Sequence, residues 1–231
     1  MYSLYTSMYT AFTFDVNTVY TGAMIKLHCS MATARKAYHH GDLRESLLEA
    51  AGELLEKEGP AGLSLRKLGR QLGVTPGAPY RHFEDKDALL AALATEGYVE
   101  LRSEMVADQD PSIGGEERLK RAGVGYLRFA TRHPELFRLM FGWMPSRDIP
   151  ELWEAADATF AGFEAVLQAC ENEGLLSRSV NEAGLLAWSA VHGADFLLID
   201  GHLKVDQPAP DAACMLNLMH ESTWSAIGHR K

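Results

Sequence analysis

The sequence predicts an all-α protein of roughly nine helices. Three observations support that fold class. Apolar residues recur at helical spacing from Leu43 onward. Gly, Pro and Asp punctuate the chain where such helices would end. No strand alternation and no internal repeat occur after Met31.

The elements follow in order. Asp42 can cap a first helix to Glu58, with Glu45 three positions on and an apolar stripe of Leu43, Leu47, Ala50, Ala51 and Leu54. Gly59-Pro60 stops it. Ser64 caps a second helix carrying Leu65, Leu68 and Leu72, which Gly73 ends in the left-handed conformation. Thr75 or Pro76 opens a third helix, with proline near its start as geometry allows. Asp85 or Asp87 opens a long helix through Leu89, Leu90, Leu93, Tyr98, Leu101 and Met105. Helices are then expected at Glu116–Arg132, Pro134–Gly142, Ile149–Glu173, Asn181–Gly201 and Asp211–Gly228.

Helix, tight turn and helix over Ser64–Lys86, SLRKLGRQLGVTPGAPYRHFEDK, is the spacing that lays a short helix in the major groove of DNA. Ser64 sits at a helix start, where hydroxyl and free N–H groups meet phosphate. Arg66 can reach a base edge, a bidentate guanine contact being the sharper option, or a phosphate. Thr75, Gly77 and Ala78 occupy the start of the third helix, where small residues let the backbone approach the groove. Tyr80, Arg81, His82 and Lys86 suit phosphate contacts. Phe83 reads as core beside Leu89 and Leu90; Tyr80 has core packing as its alternative. Arg35 and Lys36 form either a minor-groove arm or a solvated tail. Pro79 falls inside the third helix, so that helix should be short and its start shifted.

The charge distribution agrees with a local DNA-binding surface. The net charge of -9 is concentrated in residues 87–231, with 12 Lys/Arg against 22 Asp/Glu; residues 31–86 hold 9 against 8. Screening confines the reach of that distant acid to about 10 Å. The 3 cysteines (Cys29, Cys170, Cys214) form no CxxC pair, which fits a reducing cytoplasm rather than a disulfide framework or a zinc site. No stretch stays apolar and uncharged for about 18 residues, so no membrane span is expected.

Residues 1–30 differ from the rest: rich in Tyr, Thr and Met, with one basic and one acidic side chain. They read as a disordered extension or as a start assigned too early, with Met31 opening the basic arm. An intact mass of the native protein separates the two. The expected organisation is therefore this extension, a DNA-binding domain over 31–86, and a helical effector-binding and dimerisation domain over 87–231.

The pattern LxxAAxELLEKEGxxGLSLRKLGRQLGVTPGAPYRHFEDKDALL resembles the tetracycline-repressor-like (TetR) family of regulators. Tyr38 to Arg44 and the Trp188, His192, Gly193 constellation are similar to a branch with a Trp-His-Gly signature in its C-terminal domain, and His133-Pro134-Glu135-Leu136-Phe137 resembles another recurrent piece of the family. The resemblance implies a dimer on double-stranded palindromic operator DNA, a repressor released by a small apolar or aromatic effector, and no cofactor. An activator or an architectural binder without effector is the alternative.

For the effector, Met105, Tyr126, Phe129, Phe137, Met140, Trp143, Phe160, Trp188 and His192 are the candidate pocket residues, with ordinary core packing as the alternative for each. Trp188, His192 and Asp195 share one helix face at i, i+4 and i+7. A buried His192–Asp195 hydrogen bond is expected there, with a ligand or subunit contact as the alternative. Ala187, Ala190 and Ala194 form a small-residue stripe. With the last helix (Met215, Leu218, Met219, Trp224) they suit a four-helix bundle across a two-fold axis. An enzyme built on His192, Asp195, Asp200 and His202 is the rival class, but no spacing matches a metal motif.

Overall fold

A computed structural model describes residues 43–107, 112–202 and 212–229. The compact unit that they form starts at Arg44. Among the described residues the elements are α1 Leu43–Gly62, α2 Leu65–Gln71, a 3-10 turn Pro79–Arg81, α3 Lys86–Val106, α4 Gly115–Arg132, α5 Pro134–Gly142, α6 Pro150–Asn172, α7 Val180–Ile199 and α8 Ala212–Ile227. No described helix is long and apolar enough to cross a membrane. Asp42, Arg35, Lys36 and residues 1–30 lie outside the described residues, as does the segment 203–211.

The expected stop at Gly59-Pro60 takes an unusual form. Gly59 turns with φ 68°, and Pro60 opens one further turn to Gly62. Gly73 adopts φ 70° directly after α2. Its amide donates to Arg70 O at 3.2 Å and that of Val74 to Gly69 O at 2.9 Å, which satisfies the last carbonyls of α2. Ser64 is the N-cap residue of α2, but its hydroxyl makes no cap bond. Asp85, not Asp87, caps α3: its carboxylate accepts from Ala88 N at 2.8 Å. Ser179 and Glu182 form a reciprocal capping box at the start of α7. The pair three apart in Ser179-Val-Asn-Glu182 carried that signal.

The third helix expected from Thr75 or Pro76 does not form. In its place a single 3-10 turn starts at Pro79 itself. Proline has no N–H to donate, so the first position of a turn is where it costs least. The chain then closes with His82 N and Phe83 N both donating to Pro79 O at 3.0 Å. The Pro79 ring is buried against Gly69 of α2, where an added Cβ would stand 3.0 Å from Pro79 Cγ. Gly69 thus makes the seat for the proline that shortens the element.

α3 and α4 are central: α3 packs against α4, α5 and α6, and α4 also meets α6, α7 and α8. Tyr98, Phe129 and Phe137 are wholly buried among them. Leu119, Leu167, Cys170, Ala183 and Ile227 join α4, α6, α7 and α8 in one cluster. A backbone bridge, Leu176 to Gly228, ties the end of α8 to the α6–α7 loop.

α5 is a short strut between distant parts. The Glu56 carboxylate on α1 accepts from Glu135 N at 3.1 Å and Leu136 N at 3.0 Å, so it caps α5 from another helix. Desolvation outweighs these two bonds and raises the Glu56 carboxyl above its ordinary range. On the far side, Arg138 donates to Asp200 Oδ1 at 2.7 Å and to Ile199 O at 2.7 Å, at the C-terminus of α7. Glu56→Ala leaves two helix-start amides without their acceptor. A loss of about 1–3 kcal/mol in urea unfolding is the expected outcome; no change would mean that water replaces the carboxylate at no cost.

Candidate nucleic-acid interface and effector cavity

The residues expected to meet DNA lie on α2, on the 3-10 turn and between them. Ser64, Arg66, Thr75, Gly77, Tyr80, Arg81 and His82 are exposed; Ala78 and Lys86 are half-buried. Tyr80 keeps 48% of its surface, while Phe83 three residues on is buried. The turn therefore anchors through Pro79 and Phe83 and leaves Tyr80, Arg81 and His82 outward. The Arg44 guanidinium lies 5.4 Å from the centre of the Phe83 ring, which holds the end of the turn to α1. Lys67, by contrast, is engaged by Glu58 at 2.6 Å. Arg70, exposed in the last turn of α2, adds a cation that the sequence reading passed over.

This surface is tied to the rest of the molecule at the start of α3. Arg147, in the loop after α5, pairs with Asp85 at 2.9 Å and Glu84 at 3.2 Å. Ser146 donates to Asp87 at 2.5 Å. A cleft of about 580 Å³ opens beside these contacts, lined by Arg44, Phe83, Glu96, Arg147, Ile149 and Pro150. Nothing in the local sequence marks it, because it arises from three segments far apart in the chain.

The aromatic residues divide into core and wall. Met105, Tyr126, Phe160 and Trp188 line a cavity together with Tyr98, Leu101, Phe141 and Val191. Phe129, Phe137 and Met140 are buried in the packing behind it, and Trp143 is half-buried in the loop after α5. His192 stacks on Trp188 with ring centres 4.9 Å apart and meets Phe141 edge-on at 4.7 Å. The cavity volume is only about 30 Å³, room for about one water. A second space of about 50 Å³ lies against it, and Gly123, Phe163 and Val191 line both.

The polar groups here are paired differently from expectation. His192 Nδ1 lies 2.9 Å from the Tyr126 hydroxyl, not from Asp195. Trp188 Nε1 donates to that same hydroxyl at 3.2 Å, so the Tyr126 proton is available for His192 Nδ1. Burial pushes the His192 imidazole down to about 4, which keeps it neutral and able to accept. Asp195 is left alone: it is 0% exposed, and neither carboxylate oxygen has a hydrogen-bond partner. His192 takes its partner from α4 rather than from the next turn of its own helix.

Asp200, another member of the imagined acid-base cluster, is occupied by Arg138. No group of three or more His, Cys, Asp or Glu side chains able to hold a metal exists among the described residues. α7 also carries an uncovered apolar face, with Leu185, Leu186 and Leu197 exposed by 53%, 40% and 45%. Ala187 is buried, and Ala190 and Ala194 are half-buried.

Comparison with known proteins agrees with this architecture. Residues 47–93 match the family described as bacterial regulatory proteins, tetR family, and residues 119–220 match a tetracyclin repressor-like C-terminal domain. A protein of unknown function from Rhodococcus sp. RHA1 has a similar structure, with TM-score 0.73 and 30% identity, over 84% of this chain and 100% of that one. A TetR family protein from Vibrio parahaemolyticus superposes with TM-score 0.62 and 25% identity, over 82% of this chain and 100% of that one. The nucleoid occlusion factor SlmA of Aliivibrio fischeri is 36% identical in a 118-residue alignment that covers 48% of this chain. The chain spans only 56% of that relative's length.

Proposed function

We propose a mode of action from one premise: this chain belongs to the tetR family of bacterial transcriptional regulators and is a DNA-binding regulator, not an enzyme. It acts as a homodimer on a palindromic operator, as a repressor that a small-molecule effector releases. Residues 31–86 form the DNA-reading part, and residues 87–231 the sensing and dimerising part. The observation that carries this reading is the outward presentation of Tyr80, Arg81 and His82 on a turn anchored by Pro79 and Phe83.

DNA is held through Ser64, Arg66, Thr75, Gly77, Ala78, Tyr80, Arg81, His82 and Lys86, with Arg35 and Lys36 as an arm. Phosphate contacts set the position, and Arg66 is the strongest candidate for reading a base. The short turn offers few side chains to base edges, so the shape of the duplex carries part of the specificity. The exposed leucines of α7 supply the apolar surface that a two-fold partner covers. The two heads then meet half-sites about 34–36 Å apart, or a multiple of that.

α3 supports the coupling between effector and DNA. Its N-terminus at Asp85 adjoins the recognition turn, and Leu101 and Met105 near its other end line the cavity. A helix of 21 residues spans about 30 Å, enough to carry a tilt from the cavity to the head. The closed cavity favours the DNA-bound state, and a ligand that forces it open favours another; that differential affinity is what allostery requires.

A second reading rests on the same small cavity. With room for about one water, the protein also suits a DNA binder without an effector. Some relatives bear the name nucleoid occlusion factor.

The test is retention of sheared genomic DNA by the purified protein, with Arg66→Ala and Tyr80→Ala variants alongside. A short palindrome should be enriched, and losing the Arg66 contact should weaken it by about 5- to 150-fold (~1–3 kcal/mol). Equal retention of all fragments by wild type and variants would overturn the operator reading. Operator release by no compound in a broad screen would favour the second reading.

A further inference from the structure

We infer that the effector site takes a hydrophobic organic cation, with Asp195 as its counter-charge and the rings around Trp188 as its cage. The inference rests on the effector reading above and names the ligand class.

Asp195 carries the argument. A buried carboxylate without a partner is costly, and proteins resolve that cost by pairing it or by keeping its proton. Neither oxygen of Asp195 is paired, and no part of the residue is exposed. Burial pushes its carboxyl up to about 8, so the empty protein holds it mostly neutral near pH 7. Asp195 lies on the same helix face as Trp188 and Val191, seven and four residues on, and both of those line the cavity. The Tyr126 hydroxyl, another wall group, is held protonated chiefly by burial, and ionised Asp195 adds to that in smaller part, which puts the carboxyl within electrostatic reach of the wall.

The remaining wall favours the same class. Six of the twelve residues that line the first cavity carry rings and none is Lys, Arg, Asp or Glu; Asp195 is not itself in that lining but follows Val191 by one helix turn, and Lys120 lines only the second space. Ring faces attract a cation, most strongly where water is excluded. An uncharged aromatic ligand would gain apolar contact but would leave Asp195 unanswered. A second carboxylate would add repulsion. A cation with an aromatic body satisfies both wall and acid.

Space must be opened for it. The two small cavities share Gly123, Phe163 and Val191 as their partition. Separating α4, α6 and α7 enlarges the first cavity around the ligand, with the half-buried Phe163 ring kept between it and Lys120 of the second space. That opening is the event that α3 would transmit.

The probes are N-methyl-para-phenylpyridinium and its uncharged isostere para-methylbiphenyl, titrated into the full-length protein by tryptophan fluorescence and calorimetry. Wild type should bind the cation at least about tenfold more tightly than the isostere. Asp195→Asn, which keeps the side-chain shape, should erase that preference and leave isostere binding unchanged. A circular dichroism melt confirms that the variant is folded. Equal affinity for both probes in wild type, or a preference that survives in Asp195→Asn, overturns the cation inference while the effector reading stands. Binding of neither probe overturns the inference as well. Operator release by no compound of any charge would in addition remove the effector reading itself.

Discussion

Gly125→Ala is expected to destabilise the protein more than other Gly→Ala changes within α4. A Cβ at position 125 would stand 2.2 Å from the carbonyl oxygen of Glu104, 2.6 Å from its carbon and 2.9 Å from Met105 Cα. These are backbone atoms of α3, and they cannot swing aside as a side chain can. The two helices would have to part along the line where Arg128 and Arg132 also hold Glu104, at 3.0 and 2.6 Å. Alanine gains up to about 1 kcal/mol in helix propensity, against an overpacking cost of about 3 kcal/mol or more. The melting temperature should fall by roughly 4–8 °C for a net loss of about 2 kcal/mol. Gly123→Ala, two residues earlier with nothing within 4 Å of its added Cβ, is the control and should melt at the wild-type temperature or slightly above. Equal behaviour of the two variants would mean that α3 and α4 do not approach this closely in solution.

Asp195→Asn should change the pH dependence of stability and raise stability at alkaline pH. The folded carboxyl titrates near 8 against 3.8 ordinarily, because burial disfavours its charge. Between those values the unfolded chain is ionised while the folded one retains its proton. Stability from this group is therefore full below pH 4 and is lost as pH rises toward 8. His192 acts in the opposite sense: its folded value near 4 lies below the ordinary 6.5, so it costs stability as pH falls through that window. The two oppose each other between about pH 4 and 6.5, and Asp195 acts alone from there to 8. Across that upper window wild type should lose about 2 kcal/mol relative to the variant. Urea unfolding at pH 6.5 and pH 8 reads the difference directly. Parallel profiles would show that Asp195 is paired or solvated in solution, and would weaken its assignment as a counter-charge. A variant that is more stable yet blind to charged ligands would place Asp195 among residues kept for function at a cost in stability.

Much of the fold was legible because its signals are local. An acidic cap at Asp85 or Asp87, the left-handed Gly73, the break at Gly59-Pro60 and the apolar stripes each depend on a few neighbouring residues, though only the structure chose Asp85. Pro79 even announced that the third helix would be short, since its missing N–H acts wherever the chain goes. The sequence could not show how far the shortening would proceed. That depended on Gly69, which offers the proline ring a seat from the preceding helix.

The candidate site shows the same division. Trp188, His192 and Asp195 on one face followed from spacing alone. The partner of His192 did not, because Tyr126 lies 66 positions away and reaches the ring only after α4 and α7 pack. Glu56 as the cap of α5, across 79 positions, was hidden for the same reason. Periodicity, turn chemistry and charge distribution determined the all-α class, the helix-turn-helix and its exposed basic-aromatic block. Tertiary packing alone decided which aromatics wall a cavity, how small that cavity is, and that one buried acid is left without a partner. Such facts depend on which helix faces meet and how closely, and a chain read in one dimension carries no distance between them.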